Sequence, residues 1–226
     1  MRTFFSIDSK FMQLLSTAAD YIILNLLFVL TCVPIITIGA AKTAMYRIMF
    51  DDLEQRGTPY RRYFKTFWKE FRTSTPLFLL KGGVTLFISF ELWVVANNEI
   101  PLQRLTLILL LVVLALFNTL FSSLFAQVAM FDSTRRQYLR NSIFIALTKP
   151  IHCLGLMLMD LLPLLLVLYN PATFGMLGLV WVFFYFTVTG HLSARLLYKP
   201  FGEYIEQAED SEDDEDTASE EKSDKI

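Results

Sequence analysis

Cysteine and histidine are scarce, with two of each among 226 residues. Cys32 and Cys153 fall inside or at the edge of apolar runs, where a thiol behaves as a small buried hydrophobe, so no disulfide framework is expected. His152, His191 and Cys153 show no HxxxH or CxxC spacing, and adjacent His-Cys side chains point in different directions around a helix; no metal site is expected. A GxSxG elbow, an HExxH pair, a P-loop and a GxGxxG turn are also missing, which sets aside the enzymes built on them. Intramembrane aspartic proteases need two close carboxylates, and only Asp160 lies deep in an apolar run. The chain therefore reads as a non-enzyme with no cofactor. Small residues near the first apolar run, Thr17-Ala18-Ala19, precede that run instead of following it, so the first span is expected to be retained.

Apolar and aromatic residues are abundant. Hydrophobic residues make up 54% of the chain, 21 residues are Phe, and the mean hydropathy is +0.45. That composition belongs to a polytopic membrane protein. Five stretches are long enough to cross a hydrocarbon core of about 30 Å, which takes roughly 20 helical residues. They are residues 21–41, 76–96, 105–131, 151–169 and 172–194, and the expected fold is an all-α transmembrane bundle. Residues 1–19 either precede it or add a partly inserted helix. Asn170-Pro171 is a turn that makes the last two spans an antiparallel pair.

Charge is distributed unevenly along the chain. Twelve of the 22 acidic residues lie in residues 203–226, leaving 18 Lys and Arg against 10 Asp and Glu in residues 1–202. The acidic segment is expected to be a solvated, disordered tail. Loops one and three carry eight and four cations, loop two carries one and loop four none. By the positive-inside rule, loops one and three and the tail are cytoplasmic and the amino terminus is outside.

The first loop, residues 42–73, is too long and too periodic to be a plain connector. Its first helix is expected from Ala44 to Leu53. In its second part, Tyr60, Tyr63, Phe64, Phe67, Trp68 and Phe71 fall at offsets 0, 3, 4, 7, 8 and 11, one face of a helix whose other face carries Arg61, Arg62, Lys65, Lys69, Glu70 and Arg72. This is the pattern of a basic amphipathic helix at a membrane interface, in contact with lipid or a partner protein. Single-faced aromatics beside membrane spans do not suit nucleic acid, which is not an expected partner.

Polar residues inside spans are the remaining candidates for function. Asp160 stands in the middle of the fourth span, and pairing with Lys81 or a span hydroxyl is one expectation for it. Lys81 is close enough to its interface to snorkel. Glu91 lies in the outer third of the second span, and Asn25 is expected to hydrogen-bond between helices. Pro34 and Gly39 should kink or stop the first helix, with Thr37 satisfying a carbonyl that the break releases. Such a break can line a binding site or only turn the chain.

The run Pro34-Ile35-Ile36-Thr37-Ile38-Gly39-Ala40-Ala41 is followed by Thr43-Ala44-Met45-Tyr46. With Asp20, Asn25, Leu26 and Leu27 before it and Phe64, Phe67 and Phe71 after it, this segment resembles the YesL family of bacterial integral membrane proteins. The resemblance covers about residues 4–201 and implies a Gram-positive-type cytoplasmic-membrane protein, often encoded beside carbohydrate ABC importers. It assigns no catalytic or ligand residue, and the acidic tail departs from it. Two functions are therefore expected to compete. One is a non-enzymatic accessory protein whose amphipathic helix meets lipid and a partner such as a sugar-importer permease. The other is a transporter or channel subunit in which Asp160, with Glu91 or Lys81, lines a route through an oligomer.

Overall fold

The computed structural model describes residues 10–54, 60–98, 102–170, 172, 175 and 178–202, and every regular element among them is helical. The first helix, α1 (Lys10–Cys32), runs on from residues preceding the predicted span and stops directly before Val33-Pro34. Pro34 is extended, with φ −77° and ψ 115°, and offers no backbone donor. Thr37 closes this break, donating its hydroxyl to the carbonyls of Thr31 and Pro34. A single 3-10 turn, Ile35–Thr37, then leads straight into α2 (Ile38–Leu53).

The path of α2 differs from the expected interfacial helix beginning at Ala44. It starts six residues earlier and is buried on nearly every side, with Ala40, Ala41, Thr43, Ala44, Ile48 and Met49 all inaccessible. In a bilayer, apolar burial alone does not draw helices together, because lipid tails are as apolar as leucine. Small side chains do, by letting backbones approach. Gly39 serves this purpose and supplies no left-handed turn: a methyl group there would lie 2.6 Å from the Ser74 carbonyl oxygen and 2.7 Å from Phe78 Cβ.

The helix against which Gly39 packs, α3 (Tyr60–Asn97), is one uninterrupted run of 38 residues. The aromatic stripe and the second span are therefore one rod, about 57 Å long at 1.5 Å per residue, and it must project beyond a core of about 30 Å. Pro76 lies inside it and removes the donor that would serve the Arg72 carbonyl four residues back. The Arg135 guanidinium donates to that carbonyl instead, at 2.7 Å.

The third predicted span is broken. It forms α4 (Gln103–Leu120) and α5 (Leu124–Met130), separated by a turn at residues 121–123. Nearly all of α5 is buried, and it packs mainly on α2. Next, α6 (Arg135–Thr148) opens with a capping box made by Thr134 and Gln137, which satisfies two orphan donors at its start. A bend of 111° separates it from α7 (Pro150–Tyr169). At the turn after α7, Asn170 Oδ1 accepts from the Ala172 amide at 3.0 Å. The last helix, α8, covers residues 178–202 and contains a π-helical stretch, Trp181–Tyr185.

Among the described residues, three stretches are long and apolar enough to cross a membrane: α1, α3, and α4 with α5. Counting the bent pair α6 and α7 as one span raises the number to four. The fifth expected span, residues 172–194, lies partly outside the described residues. The chain is an all-α helical bundle of a membrane protein with α2 at its centre.

Candidate functional site

Polar side chains along α2 reach every helix that surrounds it. Near its start, the Thr43 hydroxyl lies 2.8 Å from the Ser74 hydroxyl of α3, both fully buried. On another side, the Lys42 ammonium donates to Asp160 of α7 at 2.7 Å. One turn on, the Arg47 guanidinium donates to the Ala129 carbonyl of α5 at 3.0 Å and approaches Asp51. Asp51 is buried and is also held by Arg62 of α3, at 3.1 Å. At the end of α2, Asp52 accepts from the Tyr21 hydroxyl of α1 at 3.2 Å and faces His191 of α8 at 3.4 Å. A 2.8 Å contact between Tyr21 and His191 closes that triangle.

Asp160 is therefore hydrogen-bonded to Lys42, while Lys81 lies within electrostatic range of it without a hydrogen bond to it. The reason is geometric: the Pro34 break delivers Lys42 into the bundle on the face of α7, whereas Lys81 points to a different vacancy. Its ammonium donates to the Phe121 carbonyl at 3.0 Å, a backbone group released where α4 gives way to α5. Lys81 thus turns inward and does not snorkel. Glu91 lies farther along α3, outside this cluster. Asn25 bridges helices, its side-chain oxygen accepting from the Thr187 amide at 2.8 Å and from the Thr187 hydroxyl at 3.2 Å. Thr187 lies two residues past the π stretch, so Asn25 braces the helix next to its irregular turn.

The Lys42–Asp160 pair borders a cavity of about 80 Å³ walled by α1, α2, α7 and α8. Tyr46, Tyr185, Thr189 and Ser193 add hydroxyls to its wall, and Phe28 and Phe186 add apolar rings. The cavity offers both signs of charge within one hydrogen bond of each other. It has room for small polar species only.

Residues 21–92 match the family model described as Protein of unknown function, DUF624. No curated protein and no solved structure matches the chain. The matched segment, about a third of the chain, holds the second half of α1, all of α2 and α3 as far as Leu92. It therefore contains the central helix and the two helices that precede and follow it, with Lys42, Arg47, Asp51, Asp52 and the aromatic stripe.

The stripe itself is divided. Tyr63 and Phe67 are buried in the core, and the Tyr63 hydroxyl lies 2.7 Å from the Thr31 hydroxyl of α1. Trp68 and Phe64 keep 69% and 40% of their surface exposed, and Phe71 is half-buried. Tyr60 opens α3. The expected single apolar face is thus two faces: one anchors α3 to the bundle and the other points outward. The buried positions, Tyr63, Phe67, Glu70, Ser74 and Leu77, form a narrower seam than the aromatic pattern suggested.

Sequence reasoning missed Lys42, Asp51, Asp52 and Tyr21. Arg47 and Asp51 at i and i+4 were a readable signal of a paired helix face. The Asp51-Asp52 dipeptide, closing an otherwise apolar helix, was another. Lys42 was counted only as a loop charge, because nothing local to it announces the helix that receives it.

Proposed function

We propose that this chain is a non-enzymatic, multi-pass protein of a bacterial cytoplasmic membrane, of the YesL type, that works by holding a membrane-protein partner against its basic end. The observation that carries this reading is the divided stripe. Tyr63 and Phe67 fix the first turns of α3 to the bundle, which leaves Trp68 and Phe64 on a rigid support with Arg61, Lys65 and Arg72 exposed beside them. A rigid aromatic anchor among cations is how interface hot spots are built. It also suits the headgroup region of a bilayer, where the same residues would lie if α3 projects on the cytoplasmic side.

The YesL resemblance points to a sugar-importer permease as the partner. A photo-crosslinker in place of Trp68, activated in native membranes, is expected to recover one specific membrane protein. Recovery of lipid alone, with sugar uptake unchanged on deletion, would end this reading.

A second reading rests on the cavity beside Lys42 and Asp160. Its paired charges and hydroxyls favour passage of a proton or a small polar solute through an oligomer, and Asp160 would be the residue that transport cannot do without.

A further inference from the structure

If α1 and α2 ran on in one direction, about 38 Å of helix would separate Tyr21 from Asp52. Their side chains meet at 3.2 Å, so α2 doubles back along α1. The last helix passes α1 in the same antiparallel sense. Phe28 packs its ring 5.0 Å from that of Phe186, Asn25 accepts from Thr187, and Tyr21 lies 2.8 Å from His191. Going back along α1 therefore means going forward along α8, whose Phe201 packs on Phe50 near the end of α2. The start of α1, the end of α2 and the end of α8 share one end of the bundle.

The turn of this hairpin, residues 33–37, has a fixed level on α3. Asp51 meets Arg62, Thr43 meets Ser74, and Gly39 lies against Phe78, so α2 and α3 are antiparallel and the turn is level with Phe78. From Phe78 the third helix continues to Asn97, about 28 Å farther. That remaining length nearly matches a hydrocarbon core of about 30 Å. With Asn97 at the far edge of the core, the hairpin turns at the near edge.

The turn itself suits lipid. Val33 and Ile35 keep 74% and 72% of their surface exposed, Ile36 is exposed beside them, and no Asp, Glu, Lys or Arg occurs in residues 21–41. Its backbone groups bond within the turn: the Val33 amide donates to the Leu30 carbonyl at 3.3 Å and the Thr37 amide to the Pro34 carbonyl at 2.9 Å. The Thr37 hydroxyl serves the carbonyls of Thr31 and Pro34. Among acyl chains an unpaired backbone group is expensive, and this turn pairs its own.

We propose that α1 and α2 form a re-entrant hairpin that enters the cytoplasmic leaflet, seats Val33, Ile35 and Ile36 among the upper acyl chains of phospholipids, and returns without crossing. The start of α1 then lies in the cytoplasm with the first loop, opposite to the side expected for it from loop charges. The positive-inside rule is still obeyed, because the first loop keeps its side and residues 1–20 carry Arg2 and Lys10. Only the parity of the crossings changes. Length and composition would let α1 span a membrane, but its path takes it back.

Ser16→Cys, at an exposed position of α1, tests the side in a Cys32→Ala and Cys153→Ala background. An impermeant thiol reagent is expected to label it in inverted vesicles only, from the same side as Trp68→Cys; labelling of the two positions from opposite sides would overturn the proposal. An amino-terminal epitope tag on the otherwise unaltered chain should be cut by protease in inverted vesicles and protected in right-side-out ones, which checks the result without cysteine replacement. Depth is read from a fluorophore on Ile35→Cys in vesicles of phosphatidylglycerol and phosphatidylcholine. A nitroxide near the top of the acyl chain should quench it more than one near the chain's end. Stronger quenching by the deeper nitroxide, or none by either, would also overturn the proposal. Capture of a partner through Trp68 is a separate result that none of these outcomes decides.

Discussion

Lys42 and Asp160 form an ion pair whose side chains keep 23% and 37% of their surface accessible, so its strength lies between that of a surface pair and a buried one. Removing one partner leaves the other charge without compensation in a low-dielectric bundle, and that penalty exceeds the loss of the attraction itself. Asp160→Asn is expected to lower stability by about 1–3 kcal/mol, and adding Lys42→Met should restore most of it. Thermal unfolding in detergent of the two single variants and the double variant measures the coupling. Flux through wild-type vesicles that vanishes in Asp160→Asn at unchanged stability would instead favour the transport reading. Asp160 and Asn25 were legible in the sequence because each is a polar residue inside an apolar run. Their partners were not: Lys42 and Thr187 lie 118 and 162 residues away along the chain, and only the packing of helices brings them close. Gly39 was legible as special, yet its reason, the approach of the Ser74 carbonyl, exists only in the folded bundle.

At the scale of elements, the breaks carry much of the architecture, and three of them are closed by a side chain. Thr37 serves the carbonyls at the Pro34 break, Lys81 serves Phe121 at the α4–α5 turn, and Arg135 serves Arg72 above Pro76. The last of these can be separated into cause and response. Arg135→Met takes away the substitute donor and should cost about 1–2 kcal/mol, as expected for a charged hydrogen bond to a backbone acceptor that is partly open to solvent. Pro76→Ala restores the helical donor for Arg72, so Arg135→Met made in that background should cost far less. A double-mutant cycle on thermal stability checks this; equal effects of Arg135→Met in both backgrounds would remove Pro76 from the account. The helical period of residues 60–71 was readable, as was the break at Pro34. The division of the aromatic face was not, because periodicity reports which side chains share a side of the helix and is silent about how wide a neighbour α2 presents. The turn at residues 121–123 was hidden for a related reason: it lies in a charge-free run, where Asn118, Thr119, Ser122 and Ser123 are as compatible with a continuous helix as with a break.

For the whole molecule, the expected five spans and the three or four stretches able to cross differ in the last two, because α7 counts only together with α6 and residues 172–194 lie partly outside the described residues. Hydropathy scores composition and ignores path, so a run that turns at Pro34 and continues as a buried central helix looks like a longer crossing. The orientation proposed from loop charges can be argued further from the structure. Phe201 packs against Phe131 and Phe50, which brings the exit of the carboxyl-terminal segment to the same end of the bundle as Lys65, Trp68 and Arg135. If α3 crosses the membrane, the end of α8 at Phe201 is expected on the side that holds the first and third loops, which the positive-inside rule would make the cytoplasm. Leu102, with its left-handed φ of 62°, is then expected on the opposite side. Single cysteines at Trp68 and at Leu102, both exposed, make this a direct measurement. In a background where Cys32 and Cys153 are replaced by Ala, an impermeant thiol reagent should label position 68 in inverted vesicles only and position 102 in right-side-out vesicles only. The reverse pattern would invert the protein and move the partner surface outside. Labelling of both positions from one side would mean that the projecting rod of α3 does not cross the membrane, and the bundle would have to be anchored by α1 and α4 with α5.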